Sequence, residues 1–136
     1  MPSSNLQLAA EMVDAVARRD VSRLIELTDP AVEWRPFATG LLEEGVYRGH
    51  DGIRQYFRDL DDAWEMLRAE VEDGLAAGDS ALLVGRLHYR GRGSGVETEH
   101  AAGWAMAFRD GKLLSMAAFR DPERLIQALS TTTRDS

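Results

Sequence analysis

The chain has 136 residues, no cysteine, 3 histidines, and 23 acidic against 16 basic side chains, for a formal net charge of −7. The lack of cysteine excludes a disulfide framework, a thiol nucleophile and a thiolate metal site. A pI near 4.9 argues against a nucleic-acid partner, because affinity for phosphate needs clustered lysine and arginine.

The length suits a single domain over residues 1–136, ordered from about residue 4 to about residue 130, and removes roughly two-thirds of the unfolded surface from water. Charge is uneven along it: residues 1–79 hold 17 acids and 8 bases, residues 80–136 hold 6 and 8. No apolar run approaches the ~20 residues of a membrane helix. The start MPSSNLQLAAEM has neither the basic opening nor the apolar block of a signal peptide. A cytoplasmic protein with no membrane partner is the expectation.

Ser3 or Ser4 is placed to cap a helix in which Leu8, Met12 and Val16, with Ala9 and Val13, recur at helical spacing. It stops near Arg18-Arg19-Asp20, and Val21, Leu24, Ile25 and Leu27 begin a shorter helix that ends before Pro30. Residues 31–35 read as a short strand broken by Pro36, followed by the irregular stretch FATGLLEEGVYRG. His50 or Asp51 then caps a third helix with Ile53, Tyr56, Phe57, Leu60 and Trp64 on one side.

Beyond this helix the period changes from 3.6 to 2. Strands are expected at about 66–76, 80–91, 96–109 and 112–120, with turns at 77–79, 92–95 and 110–111. Asp121-Pro122-Glu123 opens a last short helix to about Leu129. Helices first and an antiparallel meander afterwards is an α+β plan in which helices cover one face of a curved sheet.

Charge sets the register of the middle hairpin. With residues 92–95 as the loop, Arg90 faces Glu97 and His88 faces Glu99, while Leu87 faces His100 and Leu83 faces Trp104 on the other side. A one-residue slip reverses both patterns. Arg86, His88 and Arg90 then look outward; Leu83, Leu87, Tyr89, His100, Trp104, Met106 and Phe108 look toward the helices. On the final strand, periodicity leaves two inward sets open: Leu113, Ser115, Ala117 and Phe119, or Leu114, Met116, Ala118 and Arg120.

The segments ARRDVSRLIELTDPAVEWRP, YRGHDGIRQYF, GRGSGVE and WAMAFRDGKLLSMAAFRDPERLIQAL together resemble the SnoaL-like family of the nuclear transport factor 2-like superfamily, from about Leu8 to Leu129. The resemblance implies a conical α+β barrel, a bent sheet wrapped around three helices and a pocket, dimeric through the outer sheet face. That superfold hosts isomerases, cyclases, hydrolases and binding modules. The ketosteroid isomerases within it use a tyrosine, a general-base aspartate and a protonated aspartate. The matching positions here hold Met12, Trp34 and Trp104. The resemblance also selects Leu114, Met116, Ala118 and Arg120 as the inward set of the last strand.

The expected pocket lining is Met12, Trp34, Tyr56, Leu67, Val71, Leu83, Leu87, Tyr89, His100, Trp104, Met106, Met116, Ala118 and Arg120. Its apolar, aromatic character suits a small hydrophobic or weakly anionic organic ligand. His100, the histidine expected to point inward, is the candidate proton carrier. Tyr56 is the candidate hydrogen-bond donor and Arg120 the electrostatic partner of a developing oxyanion. Asp121, at the rim, is a further candidate and equally a helix cap. The expected chemistry is cofactor-free isomerisation or cyclisation of a carbonyl compound; the alternative is a non-catalytic ligand-binding or dimeric scaffold module. Neither a metal site nor a cofactor is expected, because the three histidines are scattered and no carboxylates sit at ligand spacing.

Overall fold

The computed structural model describes residues 4–36 and 46–120. The first apolar stripe forms α1 (Ser4–Ala17), and Ala9, Met12, Ala15 and Val16 are buried along it. The helix ends in a Schellman motif: the Asp20 N–H donates to the Ala15 carbonyl at 2.8 Å and the Arg19 N–H to that of Val16 at 3.1 Å. Arg19 takes the left-handed φ of 58° that this closure requires. Asp20 then caps α2 (Val21–Leu27), accepting from the Arg23 N–H at 3.1 Å.

β1 (Thr28–Arg35) begins earlier than the expected residue 31, because Thr28 already pairs with Leu113. Pairing is irregular from there to Glu33, and Pro30 sits in that gap, where its missing N–H costs no ladder bond. A two-residue strand, β2 (Tyr47–Arg48), pairs with Trp34 and Glu33 in a stretch the sequence presents as irregular. It leads directly into α3 (Gly49–Ala63), so neither His50 nor Asp51 is the cap. Arg48 holds that position without a side-chain bond, Asp51 lies in the first turn, and His50 Nε2 donates to the Thr28 carbonyl at 3.0 Å.

The four strands of the meander are β3 (Trp64–Ala77), β4 (Ser80–Gly91), β5 (Glu97–Arg109) and β6 (Lys112–Phe119). One six-stranded sheet results, in the order β2-β1-β6-β5-β4-β3, antiparallel except where β1 runs parallel to β6. Asp110 and Gly111 both have positive φ, 54° and 78°, which suits a two-residue hairpin to the twist of its strands. The β4–β5 register is the one the charges specify, from Arg90 opposite Glu97 to Leu83 opposite Trp104.

Bulges bend the sheet. In β3 the pairing skips Glu65 and Glu72. At the second of these Gly85 comes so close that an added Cβ would lie 2.0 Å from the Glu70 carbonyl oxygen. In β6 the pairing skips Leu114, so Leu113 faces the core beside Phe108, and Met116 and Ala118 face it beside Met106 and Trp104. Each inward set considered from sequence is thus correct for one end of the strand.

α1 packs on β3 and α3 on β1, so the helices fill the concave side of the sheet. The core joins Met12, Leu24, Ile53, Tyr56, Phe57 and Leu60 to Leu83, Leu87, Trp104, Met106 and Met116. The edge strands β2 and β3 are not paired with each other, leaving an open-sided α+β cone. No helix among the described residues is long and apolar enough to cross a membrane. The expected terminal helix at 121–129 and most of the irregular stretch, residues 37–45, lie outside the described residues.

Candidate functional site: an apolar cavity in the cone

Between α1, α3 and the concave sheet lies a cavity of about 50 Å³ lined by Met12, Val13, Val16, Trp34, Pro36, Tyr56, Leu67, Ala69, Leu87, Trp104, Met106, Met116 and Ala118. Its floor is a cross-strand row, Trp34 beside Met116 beside Met106, with Ala118 beside Trp104 in the next row. α1 supplies Met12 and Val13 from one turn and Val16 from the next. α3 supplies Tyr56, whose ring meets those of Trp34 at 5.4 Å, Tyr47 at 5.5 Å and Phe57 at 5.5 Å. The volume is about a third of the ~150 Å³ that admits benzene to an apolar protein cavity. Three of the wall residues are methionines, the side chains best able to repack around an entering molecule.

No charged side chain lines this wall among the described residues. The polar groups carried by wall residues are the Trp34 and Trp104 indole N–H groups and the Tyr56 hydroxyl. Burial pushes the Tyr56 phenol well above its usual range, and the nearby Trp34 N–H and Arg19 charge only partly oppose it. Tyr56 is therefore a protonated donor at neutral pH. The Trp34 Nε1 is buried and has no hydrogen-bond partner.

The structure gathers Met12, Trp34, Tyr56, Leu87, Trp104, Met106, Met116 and Ala118 on one wall, together with Leu67. Other expected lining residues stand elsewhere. Tyr89 is off the wall, packed edge-on between Trp64 at 4.7 Å and His100 at 5.5 Å. His100 shares the concave face with its cross-strand partner Leu87, but lies one strand-end beyond the cavity, half-buried, with Nδ1 2.9 Å from the Ala101 carbonyl. Leu83 is buried outside the wall, and Val71, next to the Glu72 bulge, is 40% exposed. Arg120 follows the end of β6 and is exposed, away from the wall. Asp121 lies outside the described residues.

Val13, Val16, Ala69 and Pro36 complete the wall without having been expected there. Val13 and Val16 were visible as helix-face residues, and Ala69 shares the parity of Leu67. Pro36 reads in sequence only as the end of a strand. Among the described residues no three His, Asp or Glu side chains converge as a metal site.

The convex face of the sheet divides in two. Toward one end is a ladder of charge: Arg86 with Glu99, His88 Nε2 with Glu70 at 2.9 Å, and Arg90 with Glu97 at 3.4 Å. The Arg86 guanidinium beside Glu99 holds that carboxyl below the usual range. Toward the other end is a groove of about 280 Å³ over the row Leu75, Leu82, Ala105, Ala117 and Arg35.

An open α+β cone with an apolar chamber under its helices defines the nuclear transport factor 2-like class of fold. The chain belongs to the SnoaL-like domain family, whose model matches residues 9–116. Similar solved structures include a nuclear transport factor 2-like protein from Burkholderia thailandensis, at 28% identity and TM-score 0.72, covering 90% of this chain and 95% of that one. Another is TerC co-crystallised with polyporic acid, at 20% identity and TM-score 0.76, with coverages of 92% and 97%. A third is named as a SnoaL-like polyketide cyclase from Jannaschia sp. CCS1, at 17% identity and TM-score 0.74, with coverages of 95% and 93%. No curated protein matches the sequence.

Proposed function

We propose that this protein binds a small, uncharged, hydrophobic carbonyl compound in the cone. The observation that carries this reading is the wall itself: aliphatic and aromatic throughout, with hydrogen-bonding tips on Trp34, Tyr56 and Trp104 alone and no charged side chain among the described residues. Such a wall desolvates an apolar body at little cost and offers nothing to balance a buried charge. TerC was co-crystallised with polyporic acid and the Jannaschia protein is named as a polyketide cyclase, which supports small organic molecules as the ligand class. Titration of cyclohexanone, followed by methionine-methyl resonances, tests the reading. Shifts at Met12, Met106 and Met116 are expected; shifts confined to surface residues would sink it.

A catalytic form of the same reading is favoured by one observation. His100 faces the same side of the sheet as Leu87, its direct cross-strand neighbour and a wall residue. In that form, for a molecule long enough to extend past Leu87, His100 carries the proton in a cofactor-free isomerisation or cyclisation and Tyr56 donates to the oxyanion. Replacing His100 with Ala then abolishes turnover while cyclohexanone binding persists. Unchanged turnover removes His100 from the mechanism.

The convex groove suits a second copy of the chain. Its apolar row includes Leu75, which is 60% exposed, and the neighbouring ladder alternates in sign, so a two-fold partner can meet charge with opposite charge.

A further inference from the structure

The described residues leave three buried side-chain nitrogens without a hydrogen-bond partner, in Trp34, Trp64 and Arg90. Only Trp34 belongs to the cavity wall. Trp34 is 3% exposed, and its cross-strand neighbour on the wall, Met116, carries no side-chain oxygen or nitrogen. An indole N–H can only donate, and a buried donor left without an acceptor is both costly and rare.

The Trp34 ring packs against Tyr56, tilted at 54° with its ring centre 5.4 Å away. The Trp34 N–H is directed at the phenol oxygen closely enough to favour its ionised form, but the contact falls short of normal hydrogen-bond geometry. Two donors thus converge from different elements, Trp34 from β1 and Tyr56 from α3, and among the described residues the indole N–H faces no acceptor better placed than the phenol oxygen itself. A carbonyl oxygen has two lone pairs and can accept from both.

We propose that the Trp34 Nε1–H and the Tyr56 Oη–H donate together to one oxygen of the bound molecule, and so select a ketone or aldehyde over its hydrocarbon and carboxylate counterparts. The inference rests on ligand binding in the cone and names the groups that set its specificity. A hydrocarbon of the same shape leaves the indole N–H unsatisfied. A carboxylate brings a charge that the wall does not neutralise.

Three probes of one ring size separate the cases: cyclohexanone, methylenecyclohexane (a =CH2 group in place of =O) and cyclohexanecarboxylate. Binding is followed by calorimetry and by the indole N–H resonances of 15N-labelled protein, with Trp34 assigned as the signal missing from Trp34→Phe. The expected result is a downfield move of the Trp34 signal with cyclohexanone and not with methylenecyclohexane. Trp34→Phe should weaken cyclohexanone roughly tenfold and leave methylenecyclohexane nearly unchanged, with Tyr56→Phe acting in the same direction. No measurable binding is expected for the carboxylate.

If both neutral probes bind and Trp34→Phe weakens them equally, the two-donor site is wrong while cone binding stands. If none of the probes shifts the methionine methyls, the cone reading fails and this one with it. Should Trp34→Phe not fold, the wild-type indole signal decides: an unmoved resonance in the ketone complex overturns the proposal.

Discussion

At the scale of single residues, the two tyrosines of the aromatic cluster link burial to alkaline stability. Burial raises the Tyr47 phenol, with added effect from its 2.6 Å bond to Asp59, and burial alone is the largest cause for Tyr56. A folded-state pKa above the unfolded value of about 10 means the folded chain holds protons that the unfolded chain has lost. The stabilisation is complete below pH 10 and disappears as pH rises through the folded-state values. Urea unfolding should therefore show stability falling steeply above about pH 10, and the double variant Tyr47→Phe, Tyr56→Phe should flatten that fall. The cavity wall was partly legible at this scale, because side-chain parity places Leu87, Trp104 and Met106 on the concave face. Parity says nothing about distance along a strand, which is why Tyr89 and His100 share that face and still miss the cavity.

At the scale of elements, short-range chemistry decides where the chain turns. Asp20 closes α1 and opens α2, a helix of 7 residues with few bonds of its own. Asp20→Ala should cost about 1 kcal/mol in chemical denaturation, and Asp20→Asn should recover most of it. Gly85 carries more, since a methyl group there meets backbone rather than a movable side chain. Gly85→Ala is expected to destabilise by at least ~2 kcal/mol, and amide exchange should quicken first at the β3–β4 pairing beside Glu72. The hairpin register could be read from sequence because opposite charges and apolar residues demand the same alignment of β4 and β5. The bulges at Glu65, Glu72 and Leu114 could not. An extra residue flips the alternation, and in β6 either phase then looks apolar enough to be the inner one. β2 was equally hidden, being only two residues held by pairing with a strand distant in sequence.

At the scale of the whole molecule, the net charge of −7 resolves into regions. The acidic first half supplies the helices, whose exposed pairs such as Arg18 with Asp14 add little stability and serve solubility. The late strands, near balance, carry both the charge ladder and the apolar groove of the convex face. If the proposed second copy sits on that groove, Leu82→Arg should convert a sedimenting dimer to monomer without altering the thermal shift caused by cyclohexanone. A wild-type protein that sediments as a monomer at tens of micromolar would refute the interface.

The parallel contact between β1 and β6 has a consequence in time. Trp34 lies beside Met116, so the first strand finds its long neighbour only after the last strand exists, whereas β3, β4 and β5 form by nearby hairpins. Closing so long a loop makes this the late, entropically expensive step of assembly. During synthesis the meander can fold on itself while Trp34 waits without its floor. The chamber is thus the last part of the molecule to come into being, and a chain that stalls before Met116 would hold most of its hairpins and have nowhere to put a ligand.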